Sequence, residues 1–279
     1  MNQKTIKNET GFSGKALQTG TPCSVVCRPS GPDTGIIFKR VDLKGAPCVK
    51  LTDAVLSDGG ARRSTIGADG WGIQTVEHFL AALWSLEIDN ILVEVHGAEL
   101  PAMDGSAAGF LAELKKAGAE EQPVPRRFVK VPEEETVEEG SSYLKISPAD
   151  VFSVSYYIDY DIASIRKETF RITPDKESFE KELAPARTFC LKREAEMLLK
   201  AGLGQGATLE NTLVLDDNGP VGTEFRFPNE PVRHKVLDLL GDLYMLGRPV
   251  IGKVEARKSG HKLNAEMVGL LYRKYLKEA

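Results

Sequence analysis

Along residues 234–243 the apolar and polar positions separate at helical spacing. At about 100° per residue, Val236, Leu239, Leu240 and Leu243 fall on one stripe, and His234, Asp238, Gly241 and Asp242 on another. The pattern predicts a helix that packs on one side and presents ligand-bearing side chains on the other. A second helix is predicted over 75–86, where Val76, Phe79, Leu80 and Leu83 recur at i, i+3, i+4 and i+7. Thr75 is placed to cap it, with Glu77 and His78 in its first turn. Shorter helices are expected over 107–117, 178–183 and 194–201, and a basic terminal helix over 262–278.

Alternating or β-branched runs predict strands at 23–29, 36–41, 90–95, 127–131, 142–146, 152–158 and 251–256. The first two flank the turn Ser30 to Gly35 and are expected to pair as a hairpin. The acidic run Glu133, Glu134 and Glu135 reads as a solvated turn, and so does the loop carrying Arg62 and Arg63. Helices and antiparallel strands together give an α+β chain. The proline-containing joint at 122–127 divides it at about residue 125, into units 1–125 and 126–279.

Composition narrows the partners. The 279 residues are 42% hydrophobic with a formal net charge of -4, which favours neither nucleic acid nor an anionic membrane. No apolar run approaches the ~18 residues of a membrane span, and residues 1–9 carry no apolar signal core. A cytoplasmic home is expected. The four cysteines lack CxxC spacing and read as reduced thiols, with Cys23 and Cys27 packed on one strand face. The glycine-rich 202–207 lacks the Lys-Ser/Thr ending of a phosphate-binding loop and GxGxxG spacing, and reads instead as an insertion exposing apolar surface.

The chemistry gathers at the histidines. His234 and Asp238, at i and i+4, have Cβ atoms roughly 5–6 Å apart and can reach one metal ion, although a chance pair on a solvated face has equal standing from this segment alone. Gly241 leaves room for a group to approach, and Asp242 can hold a second imidazole or a ligand. Glu77, at a helix N-terminus, would be kept ionised beside the candidate ligand His78. His261 follows Gly260 after a strand, and His96 is read as structural.

The phrases Thr75-Val76-Glu77-His78, Met103-Asp104-Gly105-Ser106-Ala107, Ala186-Arg187-Thr188-Phe189-Cys190 and Pro231-Val232-Arg233-His234-Lys235 through Asp242 occur in this order. With them the chain closely resembles the UDP-3-O-acyl-N-acetylglucosamine deacetylases of lipid A biosynthesis, along nearly its whole length. The resemblance implies a β-α-α-β sandwich of two similar sheet-plus-helix domains with the active site at their junction. It implies zinc, with ferrous iron as the alternative, on His78, His234 and Asp238. It further implies Glu77 as general base, His261 as acid supported by Asp242, Thr188 as oxyanion donor and Lys235 as nearby positive charge. Phe189 is expected against the sugar, Lys258 and Lys235 against the diphosphate, and Leu17 against the acyl chain, which an inserted βαβ element at about 187–220 would enclose.

The implied reaction is release of acetate from the N-acetyl group of a UDP-linked acylated N-acetylglucosamine by a monomeric cytoplasmic enzyme of a Gram-negative bacterium. One departure stands in Ala16-Leu17-Gln18-Thr19-Gly20, where the family usually has histidine at the position of Gln18; a glutamine cannot titrate. Two rivals remain. A zinc peptidase lacks its H-E-x-x-H motif here, and a non-catalytic glycolipid-nucleotide binding protein would not need Glu77 and His261.

Overall fold

The computed structural model describes residues 1–57, 63–68 and 70–277. Its core is two five-stranded sheets with two pairs of helices between them. The first sheet runs in the order Thr10–Lys15, Pro22–Pro29, Ile91–His96, Ile36–Arg40 and Cys48–Lys50. The second runs Glu135–Glu139, Ser142–Ser147, Lys253–Arg257, Ser153–Ile158 and Glu168–Ile172. Both follow one pattern: antiparallel, antiparallel, parallel, antiparallel. The chain therefore builds the same α+β unit twice.

Period-two burial explains the strands. Ile91, Val93 and Val95 turn inward from the central strand of the first sheet, and Val254 and Ala256 from that of the second. Helices Glu77–Leu86 and Ala108–Ala117 cover the first sheet, while Glu230–Tyr244 and His261–Tyr275 cover the second. Helix Glu77–Leu86 packs along Glu230–Tyr244, and one continuous apolar core runs through both units. The layers are thus sheet, helix, helix, sheet. Pro231 starts the helix Glu230–Tyr244 within its first two positions, and Gly247, at φ 66°, carries the backbone out beyond it.

A smaller motif leaves the second unit. Strand Phe189–Leu191, helix Lys192–Lys200 and strand Leu213–Asp216 form a β-α-β unit with parallel strands, extended by Gly219–Pro220. Met197, Leu199 and Leu209 are exposed on it.

Several local expectations are corrected. Strands Pro22–Pro29 and Ile36–Arg40 do not pair; Ile91–His96 lies between them. Its three inward β-branched residues are almost wholly buried, and a central slot is where such a strand loses most water. Glu135 is no solvated turn: it opens a strand, is buried, and accepts hydrogen bonds from Lys274 and Tyr275 of the terminal helix. Thr75 does not cap its helix. Its backbone is left-handed, at φ 56°, and its hydroxyl donates to the buried Glu99 carboxylate at 2.9 Å. Arg63 is buried, not solvated, while Arg62 lies outside the described residues.

Candidate metal and catalytic site

The two facing helices place the site at the seam between the units. His78 comes from the first turn of Glu77–Leu86, and His234 and Asp238 from successive turns of Glu230–Tyr244. All three are buried, and their ligand atoms lie within 4.8 Å of one another. Nε2 of His234 stands 3.2 Å and Nε2 of His78 3.4 Å from Asp238 Oδ1. The two imidazoles meet edge to face, at 4.8 Å between ring centres.

The orientation of His234 is fixed from behind. Its Nδ1 lies 2.9 Å from the Ala186 carbonyl, which accepts a hydrogen bond and therefore assigns the proton to Nδ1. The Nε2 lone pair then points at Asp238 Oδ1, a buried oxygen with no hydrogen-bond partner among the described residues. Lone pairs that converge in the dry interior repel unless a cation lies between them. The donor set, two imidazoles and a carboxylate, suits a divalent transition metal and leaves coordination positions open.

Arg187 and Glu230 secure this arrangement. The Arg187 side chain meets Glu230 at 2.9 Å, and its backbone N–H donates to the same carboxylate oxygen, so the segment after Ala186 is tied to the start of the ligand helix. Both residues are buried. Glu230 was legible in principle, since positions 230, 234, 238 and 242 share one stripe; its partner, 43 positions away, gives no local signal.

Glu77 and His261 stand beside the candidate ligands. His261 Nε2 is 3.9 Å from Glu77 Oε1 and 3.8 Å from Asp238 Oδ2, and its Nδ1 is 2.8 Å from Asp242 Oδ2. Burial opposes a charged imidazole, but Asp242, Glu77 and Asp238 outweigh it and raise the His261 pKa to about 9. Burial raises the Glu77 carboxyl, Asp242 and Asp238 add to the rise, and the His261 charge resists it. The helix N-terminus therefore does not by itself decide the charge of Glu77; the low-dielectric seam outweighs it. Burial also lowers His78, keeping its imidazole neutral as a ligand must be.

Lys235 donates to Asp238 Oδ2 at 2.7 Å and sits 5.9 Å above the Phe189 ring. Its side chain is 17% exposed; burial opposes its charge, but the Asp238 carboxylate and the phenols of Tyr160 and Tyr156 outweigh that and keep it charged. Thr188 is held by backbone bonds to Gly105 and Leu213. It lines a cavity of about 580 Å³ together with Leu17, Phe189, Lys235 and His261. Its lining includes the apolar Leu198, Leu203 and Ala207, all within the 187–220 segment. Lys258 is exposed and outside this lining, where Lys262 stands instead. His96 is exposed at a strand end.

Gln18 also lines the cavity, and its side-chain oxygen accepts from the Gly204 N–H at 3.2 Å. Gly241 has a different neighbour from the one expected. The backbone of Glu77, not a ligand, fills the space it leaves.

A convergent set of two imidazoles and a carboxylate, with a carboxyl and a charged imidazole beside it lining one cavity, is the equipment of a metal-assisted hydrolase. The chain belongs to the UDP-3-O-acyl N-acetylglycosamine deacetylase family, whose model matches residues 3–273. Proteins named UDP-3-O-acyl-N-acetylglucosamine deacetylase are similar to it along almost their whole length. That of Acidithiobacillus ferrooxidans is 40% identical over 273 residues, covering 96% of this chain and 89% of the relative. That of Psychrobacter sp. is 39% identical over 275 residues, covering 98% and 92%. That of Anaeromyxobacter sp. strain Fw109-5 is 38% identical over 271 residues, covering 96% and 87%.

Proposed function

We propose that this chain removes the N-acetyl group of UDP-3-O-(3-hydroxyacyl)-N-acetylglucosamine, giving the free amine and acetate, the committed step of lipid A biosynthesis in a Gram-negative bacterium. The observation that carries the reading is the unpartnered Asp238 Oδ1 facing the two imidazoles at the foot of a partly apolar cavity.

His78, His234 and Asp238 would hold zinc, or ferrous iron. The bound ion would supply Lewis acidity, lowering the pKa of water towards ~7 and polarising the amide carbonyl. Glu77 takes the proton of the attacking water. His261, held charged by Asp242, gives a proton to the departing amine nitrogen. Thr188 donates its hydroxyl to the oxygen on which negative charge develops, and the half-buried Lys235 adds a positive field. The proximity of Glu77 and His261 lets the two act on opposite sides of one amide group.

Phe189 contacts the sugar, Leu17 and the apolar wall of the 187–220 insertion take the acyl chain, and Lys235 reaches towards the diphosphate. Lys258, on the exposed surface, reaches it only at the cavity's rim. The division into units 1–125 and 126–279 follows the repeated sheet pattern, with strand Ala119–Pro125 closing the first unit against Asn2–Ile6. The enzyme acts as a monomer in the cytoplasm. The free thiols of Cys23, Cys27 and Cys48 suit a reducing compartment, and no helix among the described residues is long and apolar enough to cross a membrane.

Acetate release from the 3-hydroxymyristoyl substrate by chelator-treated protein, before and after one equivalent of zinc, tests the proposal. Activity returns with stoichiometric zinc and is absent in His234→Ala. Folded, zinc-loaded protein that releases no acetate across several acyl lengths would overturn it.

A further inference from the structure

We infer that Ser64 is a positioning residue that ties the Glu77 and His261 proton carriers into one unit across the seam. It precedes strand Thr65–Ala68 of the first unit, is buried, and touches groups from both units. Its backbone N–H donates to Glu77 Oε2 at 3.2 Å, and its hydroxyl donates to Asp242 Oδ1 at 2.6 Å. The same oxygen lies 3.2 Å from His261 Nδ1. Its own carbonyl is engaged as well, accepting from the Thr75 N–H at 2.9 Å.

Donor counting sets the direction of these bonds. A serine hydroxyl has one proton, and the short contact to Asp242 uses it. Towards His261 the oxygen can then only accept, so Nδ1 must carry a proton. That proton is shared between Ser64 Oγ and Asp242 Oδ2, while Asn264 donates to Oδ2 at 2.7 Å. Both oxygens of Asp242 are thereby engaged, and the imidazole is turned so that Nε2 faces Glu77 and Asp238. The backbone of the same residue holds the other carboxylate oxygen of Glu77. One residue thus fixes the base through its amide and the acid through its hydroxyl.

The inference rests on the proposed roles of Glu77 and His261, and its test separates the two. Ser64→Ala removes the hydroxyl. Ser64→Cys fills nearly the same volume with a weak donor, and keeps the question open where the smaller side chain unsettles the fold. Both variants, zinc-loaded, should lose roughly 10- to 100-fold in kcat, the usual effect of removing an outer hydrogen-bonding partner, with KM changed less than about twofold. Proton NMR of the zinc-loaded protein supplies a readout independent of substrate. The slowly exchanging downfield Nδ1–H signal, assigned by its disappearance in His261→Ala, should shift or vanish in both variants. If Ser64→Cys keeps that signal and the wild-type kcat, the inference falls. If the wild type releases no acetate while the signal still responds to Ser64, the proposed reaction falls and the positioning role stands.

Discussion

Gly241 lies against the backbone of Glu77, so close that a β-carbon there would stand 1.9 Å from the Glu77 carbonyl oxygen. The helix bearing two of the proposed metal ligands and the helix bearing the third meet at this point. Any larger residue must push them apart. Gly241→Ala should therefore cost about 1–3 kcal/mol as an overpacked contact, despite alanine's better helix propensity. Urea unfolding would measure that loss, and zinc titration should show weakened binding as the ligands separate. A stable variant with unchanged zinc affinity would show that the helix pair yields without moving its side chains.

The proposed proton carriers can be separated from the proposed ligands. Glu77→Gln and His261→Ala should each retain one zinc per chain and lose about 10²- to 10⁴-fold in kcat, the range for general acid and base groups. Zinc content by elemental analysis and single-turnover acetate release check the two halves of the expectation. Retained turnover in either variant would remove that residue from its role.

Gln18 acts as a clamp. Its side chain and the backbone oxygens of Leu17 and Gln18 accept from the N–H groups of Gly204, Gly206 and Gln205 in turn, pinning the glycine-rich loop to the first unit. Gln18→Ala should speed amide exchange at Gly204 through Gly206 and raise KM for long-chain substrates more than for short ones. Equal exchange rates would show that the two backbone bonds suffice.

Glu168 gives the stability a pH dependence. It opens an edge strand opposite the buried Ile158, one carboxylate oxygen has no partner among the described residues, and burial pushes its pKa up to about 7. Its ordinary value is 4.5. Between these values the folded chain binds more protons than the unfolded one, so stability falls as pH rises from about 4.5 to about 7. Glu168→Gln should remove that contribution and raise the melting temperature at pH 8 relative to wild type, with little change at pH 4. Parallel melting curves at both pH values would refute it.

The central helix was legible because its information is local. His234, Asp238 and Asp242 repeat at one spacing, and the opposite stripe is apolar, so three-dimensional adjacency follows from helical geometry alone. The expected hairpin does not form, because strand order is not local. Residues 22–29 and 36–40 do run antiparallel, but a better apolar strand from position 91 takes the place between them. Thr75, Gly241 and Glu135 share a different cause. In each, a partner far along the chain claims the group, respectively Glu99, the Glu77 backbone and the terminal helix, and no window of neighbouring residues contains that partner. Ser64 was invisible for the same reason, since its hydroxyl matters only beside Asp242 and His261. The His234–Asp238 pair and the Glu77–His78 phrase could be read from local pattern; their meeting across the junction came only through the resemblance.

The placement of the ligands on the two facing helices also sets an order in time. A ribosome delivers Glu77 and His78 long before His234 and Asp238, and His261 emerges later still, at the head of the last helix. No nascent fragment that stops short of that helix contains the full set. A chain that holds the first unit alone carries only Glu77 and His78 of the proposed set, and the site is complete only once the second unit has closed onto the first.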